Sequence, residues 1–217
     1  MDQSEHISVL QALLGCGPDD AEELYHNTRI VTEQPATTLA YQGDISSHCQ
    51  FVISGAVALR ALSEDGQYTQ IATVEPGEIF GAFPFDAPHD VEVIAQDAVE
   101  MIVIGTAQIH ALAQSRAAIG SGLAALFARQ LSNVLGRMAA RVTLTANGRV
   151  YQELLDQADP SGRITPAPVV TALGVKAQTA RETASRAISK LQERGLLQKS
   201  KSHWTVTSLR MLEQEII

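Results

Sequence analysis

The pattern of hydrophobic and polar positions predicts a β-rich part of the chain between two helical parts. Short β-prone runs occur at 28–32, 38–41, 50–53, 56–62, 68–74, 91–95 and 99–104. Turn residues separate them at Gln42-Gly43-Asp44, Ser54-Gly55, Ser63-Glu64-Asp65-Gly66 and Glu75-Pro76-Gly77. Strands at this spacing are typical of a small antiparallel barrel or jelly roll.

Helical patterns flank the β-rich part. Residues 8–25 are predicted as short helices separated at Gly15-Cys16-Gly17-Pro18, because glycine and proline interrupt helices. From Thr106 to about Gln157 the sequence is helical again, with a break predicted at Asn147-Gly148 and a further helix over 149–158. Asp159-Pro160-Ser161-Gly162 is predicted as a linker or turn.

An apolar stripe, with residues spaced four, three and four positions apart, runs along the second helical part. Its members are Leu131, Leu135, Met138 and Val142. This spacing places side chains on one helix face, as in a coiled-coil interface. Packing within one chain would give the same stripe, but a helix of about 25 residues ending near Thr143 is longer than a small barrel covers. We therefore expect a dimer interface here.

The last part of the chain, from residue 163, begins with a predicted short helix. Thr165 is expected to cap it, with Pro166 in the first position, where a missing N–H costs nothing. Val169, Val170 and Leu173 are predicted to form its apolar face, and the helix is expected to end at Gly174.

A second helix is predicted over 180–194. Ala184, Ile188 and Leu191 are expected to face inward. The opposite side carries Arg181, Glu182, Ser185 and Arg186. After Gly195, residues 197–199 and 204–207 are predicted to pair as a small wing, and Ser208 is predicted to cap a last helix.

Composition adds few constraints. The chain has 217 residues, 45% of them hydrophobic, which is ordinary for a globular protein. There is no apolar run of transmembrane length and no basic segment near Met1, so we expect a cytoplasmic protein that does not contact membranes. Cys16 and Cys49 are too few for a disulfide framework or an iron–sulfur cluster. We expect ordinary thiols, with a redox switch between them as the alternative.

Charge is distributed unevenly. Residues 1–115 contain two basic and 17 acidic residues, and residues 116–217 contain 14 basic and 7 acidic ones, so the net charges are −15 and +7. An acidic part joined to a basic part indicates that the basic part binds a polyanion.

The chain resembles the family of the cyclic-AMP receptor protein and the Fnr oxygen regulator over nearly its whole length. In the β-rich part the matching segments are Tyr41-Gln42-Gly43-Asp44, residues 51–55, Glu64-Asp65-Gly66 and residues 75–81. The strongest match is residues 181–186 followed by 191–197, which resembles the family's recognition helix.

This resemblance implies an α+β protein with three parts. They are an antiparallel β-roll sensor domain at 1–115, a dimerisation helix at 116–145 and a winged helix-turn-helix domain at 146–217. The implied partners are double-stranded DNA, a second copy of the chain and RNA polymerase. The implied activity is that of a sequence-specific transcription regulator.

The residues on the outer side of the second helix suit base recognition. An arginine can donate two hydrogen bonds to guanine, and a glutamate can accept one from cytosine. We therefore expect Arg181, Glu182 and Arg186 to contact bases, with Ser185 on a thymine or a phosphate. The alternative is a solvated helix face.

Four more residues than the family pattern has lie between Gly174 and Arg181. They either lengthen the turn or add a turn to the recognition helix. An added turn would nearly keep the base-reading side and place Lys176 and Gln178 near phosphates. A rival register remains open, in which residues 176–182, including Thr179, form the DNA contact.

By the same resemblance, an effector site falls on Phe80, Gly81, Ala82, His89 and Asp90. The family holds a cyclic-nucleotide phosphate with a glutamate after the glycine and with an arginine a few residues on. Here Ala82 takes the glutamate position and His89-Asp90 the arginine position, with Glu92 close behind. Because a phosphate needs a cation or an aimed donor, we expect no cyclic AMP binding.

No cofactor is predicted, and other effectors stay open. His48-Cys49 is a candidate axial pair for haem, and an unidentified small molecule or no effector at all are the other options. Two other classes of function are alternatives to a transcription regulator. An enzyme is not expected, since no catalytic or metal-binding motif occurs. A sensing or interaction module that no longer binds DNA is the rival, and the retained Arg181 and Arg186 argue against it.

Overall fold

A computed structural model describes residues 2–62, 66 and 68–216. Within it the chain forms two compact units, Met1–Ser132 and Asn133–Ile217. Of the predicted turn at Ser63-Glu64-Asp65-Gly66, which also carries part of the resemblance, only Gly66 lies within the described residues.

Two helices open the N-terminal unit, α1 (Gln3–Leu14) and α2 (Pro18–His26). Asp2 caps α1 by accepting a hydrogen bond from the Glu5 amide at 2.9 Å, and Glu5 accepts one from the Asp2 amide at 2.7 Å. Such a capping box satisfies two amides that the first helical turn leaves unpaired. The predicted pair of helices with a break at residues 15–18 is confirmed, although α1 begins at Gln3 rather than at residue 8.

Ten strands follow. They are β1 (Arg29–Glu33), β2 (Thr38–Ala40), β3 (Ile45–Ser46), β4 (His48–Ser54), β5 (Val57–Leu62), β6 (Tyr68–Val74), β7 (Ile79–Gly81), β8 (Ala87–Pro88), β9 (Glu92–Ala95) and β10 (Val99–Gly105). They form antiparallel sheets in the orders β1-β10-β4-β7 and β2-β9-β5-β6, and β3 pairs with β8. The predicted antiparallel β-roll is confirmed, and β3, β7 and β8 are strands that the hydrophobic pattern missed.

Strand β10 shows how the β-roll is packed. Met101 and Val103 belong to the core between the two sheets, whereas Ile102 and Ile104 pack against helices on the outer face of the first sheet. Neighbouring side chains of a strand point to opposite faces, so the run 101–104, which has cores on both sides, is apolar at every position.

Helices α3 (Thr106–Ser115) and α4 (Ala117–Thr143) follow the β-roll. The first half of α4 packs into the helix–sheet core through Ile119, Leu123 and Leu126. The expected long helix is thus present, with an end at Thr143.

The C-terminal unit contains four helices and a three-stranded sheet. Its elements after α4 are α5 (Ala146–Gln157), β11 (Arg163–Ile164), α6 (Val170–Lys176), α7 (Arg181–Glu193), β12 (Leu197–Lys199), β13 (Trp204–Val206) and α8 (Leu209–Gln214). The sheet order is β11-β13-β12. The predicted wing is confirmed, and so is the Ser208 cap, whose hydroxyl accepts from the Met211 amide at 3.3 Å.

Two predicted helix starts are wrong. Asn147 and Gly148 lie inside α5, which Thr145 caps by accepting from the Gly148 amide at 3.0 Å. A Cβ on Gly148 would lie 2.4 Å from the carbonyl oxygen of Ile216, so this glycine allows close packing rather than a break. Thr165 and Pro166 precede α6, which begins at Val170 after Val169 as N-cap.

The face of α6 also differs from the expectation. Val169 is 66% exposed, while Leu173 is buried in the core of the unit. Gly174 lies within α6 rather than at its end, because the helix continues to Lys176.

Candidate DNA interface and effector site

Helices α6 and α7 form a helix-turn-helix in which α7 presents a polar face. Ala184, Ile188 and Leu191 are buried against the rest of the unit, as expected, and Ala187 joins them. The opposite side is exposed at Arg181, Glu182, Ser185 and Arg186. We call these four residues the reading face. The structure brings all four together on one helix.

The start of α7 leaves backbone amides open. Its N-cap residue, Ala180, has no side chain that can accept from them. The first amides of a helix form the positive end of its dipole and attract phosphates. Arg181 is the first residue of this helix. Further along, the Arg186 guanidinium donates to the Thr183 hydroxyl at 3.4 Å, a long bond that leaves other donors of Arg186 available.

The four extra residues lengthen the first helix and the turn. Helix α6 extends to Lys176, and α7 begins only at Arg181. Between them Gln178 has a left-handed backbone, with φ of 47°, and the Thr179 amide donates to the Gly174 carbonyl at 2.8 Å. The alternative in which the extra residues add a turn to the recognition helix is therefore wrong. We call residues 177–180 the long turn.

Lys176, Gln178 and Thr179 lie at or beside the long turn, outside α7, and are half-buried. The Lys176 ammonium lies close enough to Glu153 to act on its carboxyl. Burial raises the pKa of Glu153, while Lys176 opposes the shift and Asp156 adds to it. The Gln178 side chain accepts a bond of 3.4 Å from Arg141. These three residues thus lie outside the helix that carries the reading face.

Arg149, in the first turn of α5, is a residue that the sequence reasoning missed. Its guanidinium donates to the carbonyl oxygens of Ala177 at 2.7 Å, Leu144 at 3.1 Å and Gln178 at 3.2 Å. A cation in the first turn of a helix faces the positive end of the dipole. Because this placement is unfavourable, an arginine in the first turn indicates that hydrogen-bond acceptors lie nearby to compensate for it.

The predicted dimer stripe lies on the exposed side of α4. Leu131, Leu135, Met138 and Val142 are 60, 55, 59 and 87% exposed. We call these residues the α4 stripe. Ala124 and Ala128, also exposed, continue the same spacing towards the N-terminus of the helix. An exposed apolar row of this length is typical of an interaction surface.

Three residues of the predicted effector site, Phe80, Gly81 and Ala82, pack tightly into the β-roll itself. Phe80 belongs to the core between the sheets. A Cβ on Gly81 would lie 2.3 Å from the His48 carbonyl oxygen, and φ is 93° there, so the backbone itself requires glycine. The buried Ala82 donates its amide to the same carbonyl at 2.9 Å. Ala82 offers no side-chain group to a phosphate.

His89 and Asp90 lie on the loop after β8. His89 exchanges two backbone hydrogen bonds with Gly43 and Asp44, at 2.8 and 2.9 Å. Burial lowers the pKa of His89, against the opposing effect of Asp44 and Asp90, so the imidazole is less easily charged than usual. Neither residue supplies a strong cation.

Glu92, which lies just behind the arginine position, belongs to a partly buried ion pair. It is only 5% exposed, and its Oε2 accepts from both Nε and Nη2 of Arg60, at 3.0 and 2.6 Å. Arg60 faces Glu92 across β5 and β9 and also stacks on the Tyr68 ring at 4.9 Å. The charge of Glu92 is therefore neutralised inside the sensor.

His48 and Cys49 make a poor axial pair for haem. Cys49 is buried in the helix–sheet core, and burial raises the pKa of its thiol to about 12. A thiolate is the form that binds iron, and it is strongly disfavoured there. As neighbours on β4, the two side chains also point to opposite faces of the sheet. These residues do not fit haem.

Comparison with known proteins assigns both units. A model of the cyclic nucleotide-binding domain matches residues 31–116, and one of the Crp-like helix-turn-helix domain matches residues 148–215. The chain belongs to the CRP/FNR family of transcription regulators. A cyclic AMP receptor protein of Thermus thermophilus is 27% identical over 180 residues, which are 80% of this chain and 82% of the relative.

Other CRP/FNR proteins are similarly distant. The nitrogen fixation regulation protein FixK of Rhizobium meliloti is 27% identical over 174 residues, covering 77% of each chain. A solved CooA variant of Carboxydothermus hydrogenoformans superposes with a TM-score of 0.76 at 15% identity, covering 96% of this chain and 95% of that one. The CRP/FNR fold and its DNA-binding helix-turn-helix are therefore present. Among the described helices, none is both long and apolar enough to cross a bilayer.

Proposed function

We propose that this CRP/FNR regulator acts as a homodimer on an inverted-repeat DNA site, with effector chemistry other than cyclic AMP. The reading face carries the proposal. Two arginines, a glutamate and a serine are exposed on one side of α7, while its other side is packed into the core. A module that had lost DNA binding would have no need of this set at the start of the second helix.

The side chains of the reading face have complementary partners on bases. Arg186 can donate two bonds to O6 and N7 of a guanine, and Glu182 can accept one from N4 of a cytosine. We assign Ser185 to a thymine or a phosphate. Arg181, beside the open amides of α7, contacts a guanine or the backbone.

Further contacts with the DNA phosphate backbone are assigned to residues outside the reading face. Lys176, Gln178 and Thr179 lead into α7 at the long turn. The net charge of +7 over residues 116–217 favours a polyanion, whereas the −15 of residues 1–115 does not. The basic part of the chain therefore supplies affinity, and the reading face supplies sequence preference.

The α4 stripe supports the dimer. Four large apolar side chains at coiled-coil spacing are more than half exposed in a single chain. A second copy related by a two-fold axis would cover them with the same residues, as in other symmetric dimers. Such a dimer presents two copies of α7 to an inverted repeat, with half-sites about 34 Å apart.

The effector is proposed to be something other than a cyclic nucleotide, or to be absent. Ala82 has no carboxylate, His89 is a weak cation, and the Arg60 guanidinium is already bonded to Glu92. An unidentified small molecule remains compatible with the β-roll. By family resemblance the regulator works in the cytoplasm and contacts RNA polymerase.

Selection from a random DNA pool tests the function. The purified protein, with and without cell extract as a source of effector, should enrich an inverted repeat with a guanine in each half-site. A variant with both Arg181 and Arg186 changed to alanine is the matched control and should enrich no repeat. Failure of the wild-type protein to enrich a repeat under either condition would reject the proposal.

A further inference from the structure

One side chain ties the end of α4 to the long turn ahead of the reading face. The three carbonyls that Arg149 holds come from two separate segments of the C-terminal unit. Leu144 directly follows α4, whereas Ala177 and Gln178 directly follow α6. Arg149 itself lies on a third helix, α5, so its guanidinium joins three helices at one point.

The chemistry of this contact suits arginine specifically. Carbonyls just beyond a helix end lack helical donors and carry the negative end of the dipole. The planar guanidinium supplies donors in fixed directions, and here each of its three nitrogens reaches a different carbonyl. A lysine ammonium is a point charge on a flexible stem and fixes direction poorly. The guanidinium therefore sets geometry as well as neutralising charge.

The long turn needs such a support. Gln178 adopts a left-handed backbone, which disfavours a residue with a Cβ. Within the turn, the Thr179 amide bonds the Gly174 carbonyl at 2.8 Å. Arg141 on α4 reaches only the Gln178 side chain, at 3.4 Å and on the exposed surface. Arg149 is thus the described contact that holds the backbone of the turn against the end of α4.

We infer that Arg149 is a positioning residue that sets the direction of α7 relative to the C-terminal part of α4. The inference rests on the proposed function, in which α4 forms the dimer and α7 reads DNA. A change in the angle between α4 and α7 occurs in both protomers of a two-fold dimer. The distance between the two reading faces therefore depends on that angle. Arg149 would then determine which half-site spacing the dimer accepts, without touching DNA.

Three variants of the full-length protein test this role. Arg149→Met keeps the stem and removes the donors, Arg149→Lys keeps the charge, and Arg141→Met is the control that loses a contact only to the Gln178 side chain. The probe is a set of DNA duplexes that carry the selected inverted repeat, with the half-site separation changed in single base-pair steps. Fluorescence anisotropy gives the affinity of each variant for each duplex.

We expect the wild-type protein and Arg141→Met to prefer one separation. For Arg149→Met, the affinity ratio between that separation and its neighbours should fall at least about fivefold, or the optimum should move, which matches the net effect of about one lost hydrogen bond. The affinity ratio of Arg149→Lys should lie between those of the wild-type protein and Arg149→Met. A uniform loss of affinity with an unchanged optimum would overturn the inference, because it would indicate a merely structural role.

Thermal unfolding and sedimentation of each variant accompany the binding series. If Arg149→Met does not fold, Arg149→Lys decides, and an unchanged spacing preference in that variant would overturn the inference. The proposed function fails separately, if the wild-type protein binds no inverted repeat at any separation.

Discussion

The Nη2 nitrogen of Arg60 lies 2.6 Å from the Oε2 oxygen of Glu92, across the paired strands β5 and β9. Glu92 is buried, whereas the Arg60 side chain remains about one-third exposed, at 32%. A buried carboxylate is strongly destabilising unless it is paired with a cation, so the Arg60 guanidinium allows Glu92 to be buried here.

Removing one member of this pair should cost more stability than removing both. Arg60→Met leaves the buried Glu92 carboxylate without its cation and should lower the free energy of unfolding by about 2 to 3 kcal/mol. The double variant Arg60→Met/Glu92→Leu should recover most of that loss. Urea unfolding of the two single variants and the double variant gives the coupling. Additive effects would show that the ion pair contributes little.

Arg186→Ala should relax sequence preference at one base pair. Losing a two-bond contact to guanine should cost about 1 to 3 kcal/mol of binding free energy at that position and leave other positions unchanged.

Lys176→Ala, if Lys176 meets a phosphate, should weaken binding to all sequences alike and make the salt dependence of log K shallower by about one unit. Binding to single-base variants of the selected site at several salt concentrations measures both effects. If Lys176→Ala or Gln178→Ala instead alters base preference while Arg186→Ala does not, the rival register is correct.

Leu135→Glu should dissociate the dimer. A carboxylate in the middle of the α4 stripe would be buried without a cation in the interface, which should raise the dissociation constant about 100-fold. Asn133→Glu places the same charge on the other side of α4 and should leave the dimer intact. Sedimentation of both variants at micromolar concentration distinguishes them. A wild-type protein that sediments as a monomer would contradict the dimer.

Cyclic nucleotides should not bind. Calorimetry with cyclic AMP and cyclic GMP should detect no saturable heat up to about 100 μM, because the site offers the phosphate no free cation. Tight binding of either nucleotide to the wild-type protein would contradict our interpretation of Ala82, His89 and Asp90.

Cys49 should resist alkylation in the native protein. With a thiol pKa of about 12 its thiolate is scarce at pH 8, and the side chain is only 1% exposed. Cys16 is half-buried and therefore more accessible to the reagent, although burial and Asp20 raise the pKa of its thiol as well. Mass spectrometry after iodoacetamide treatment should find modification at Cys16 alone, and at both residues in urea. Equal labelling of the two in the native protein would revive the redox-switch alternative.

The sequence predicted those elements whose signals are periodic. Seven of the ten described strands of the N-terminal unit, the wing and the buried positions of α7 follow from runs of β-prone or apolar residues in the sequence. Strands β3 and β8 have two residues each, which is too short for an alternation to be recognised. Strand β7 has three residues, the same length as the predicted β2, so its length alone does not explain why the pattern missed it.

The errors at glycine have a different cause. Gly148 and Gly174 were interpreted as interrupting helices, but both lie inside one because the packing of the unit decides where a helix ends. Arg149 could not be found from periodicity, since its three acceptors come from segments up to 29 positions away in the chain. Contacts of that range depend on the tertiary structure.

The α4 stripe also bears on how the regulator would respond to its own abundance. When dimers are scarce relative to monomers, their concentration rises as the square of the total protein, and so does the occupancy of a DNA site that only the dimer recognises. A twofold change in synthesis would then produce about a fourfold change in occupancy. While the DNA site is far from saturated, a regulator with no small-molecule effector would in this way still respond more than proportionally to the rate of its own expression.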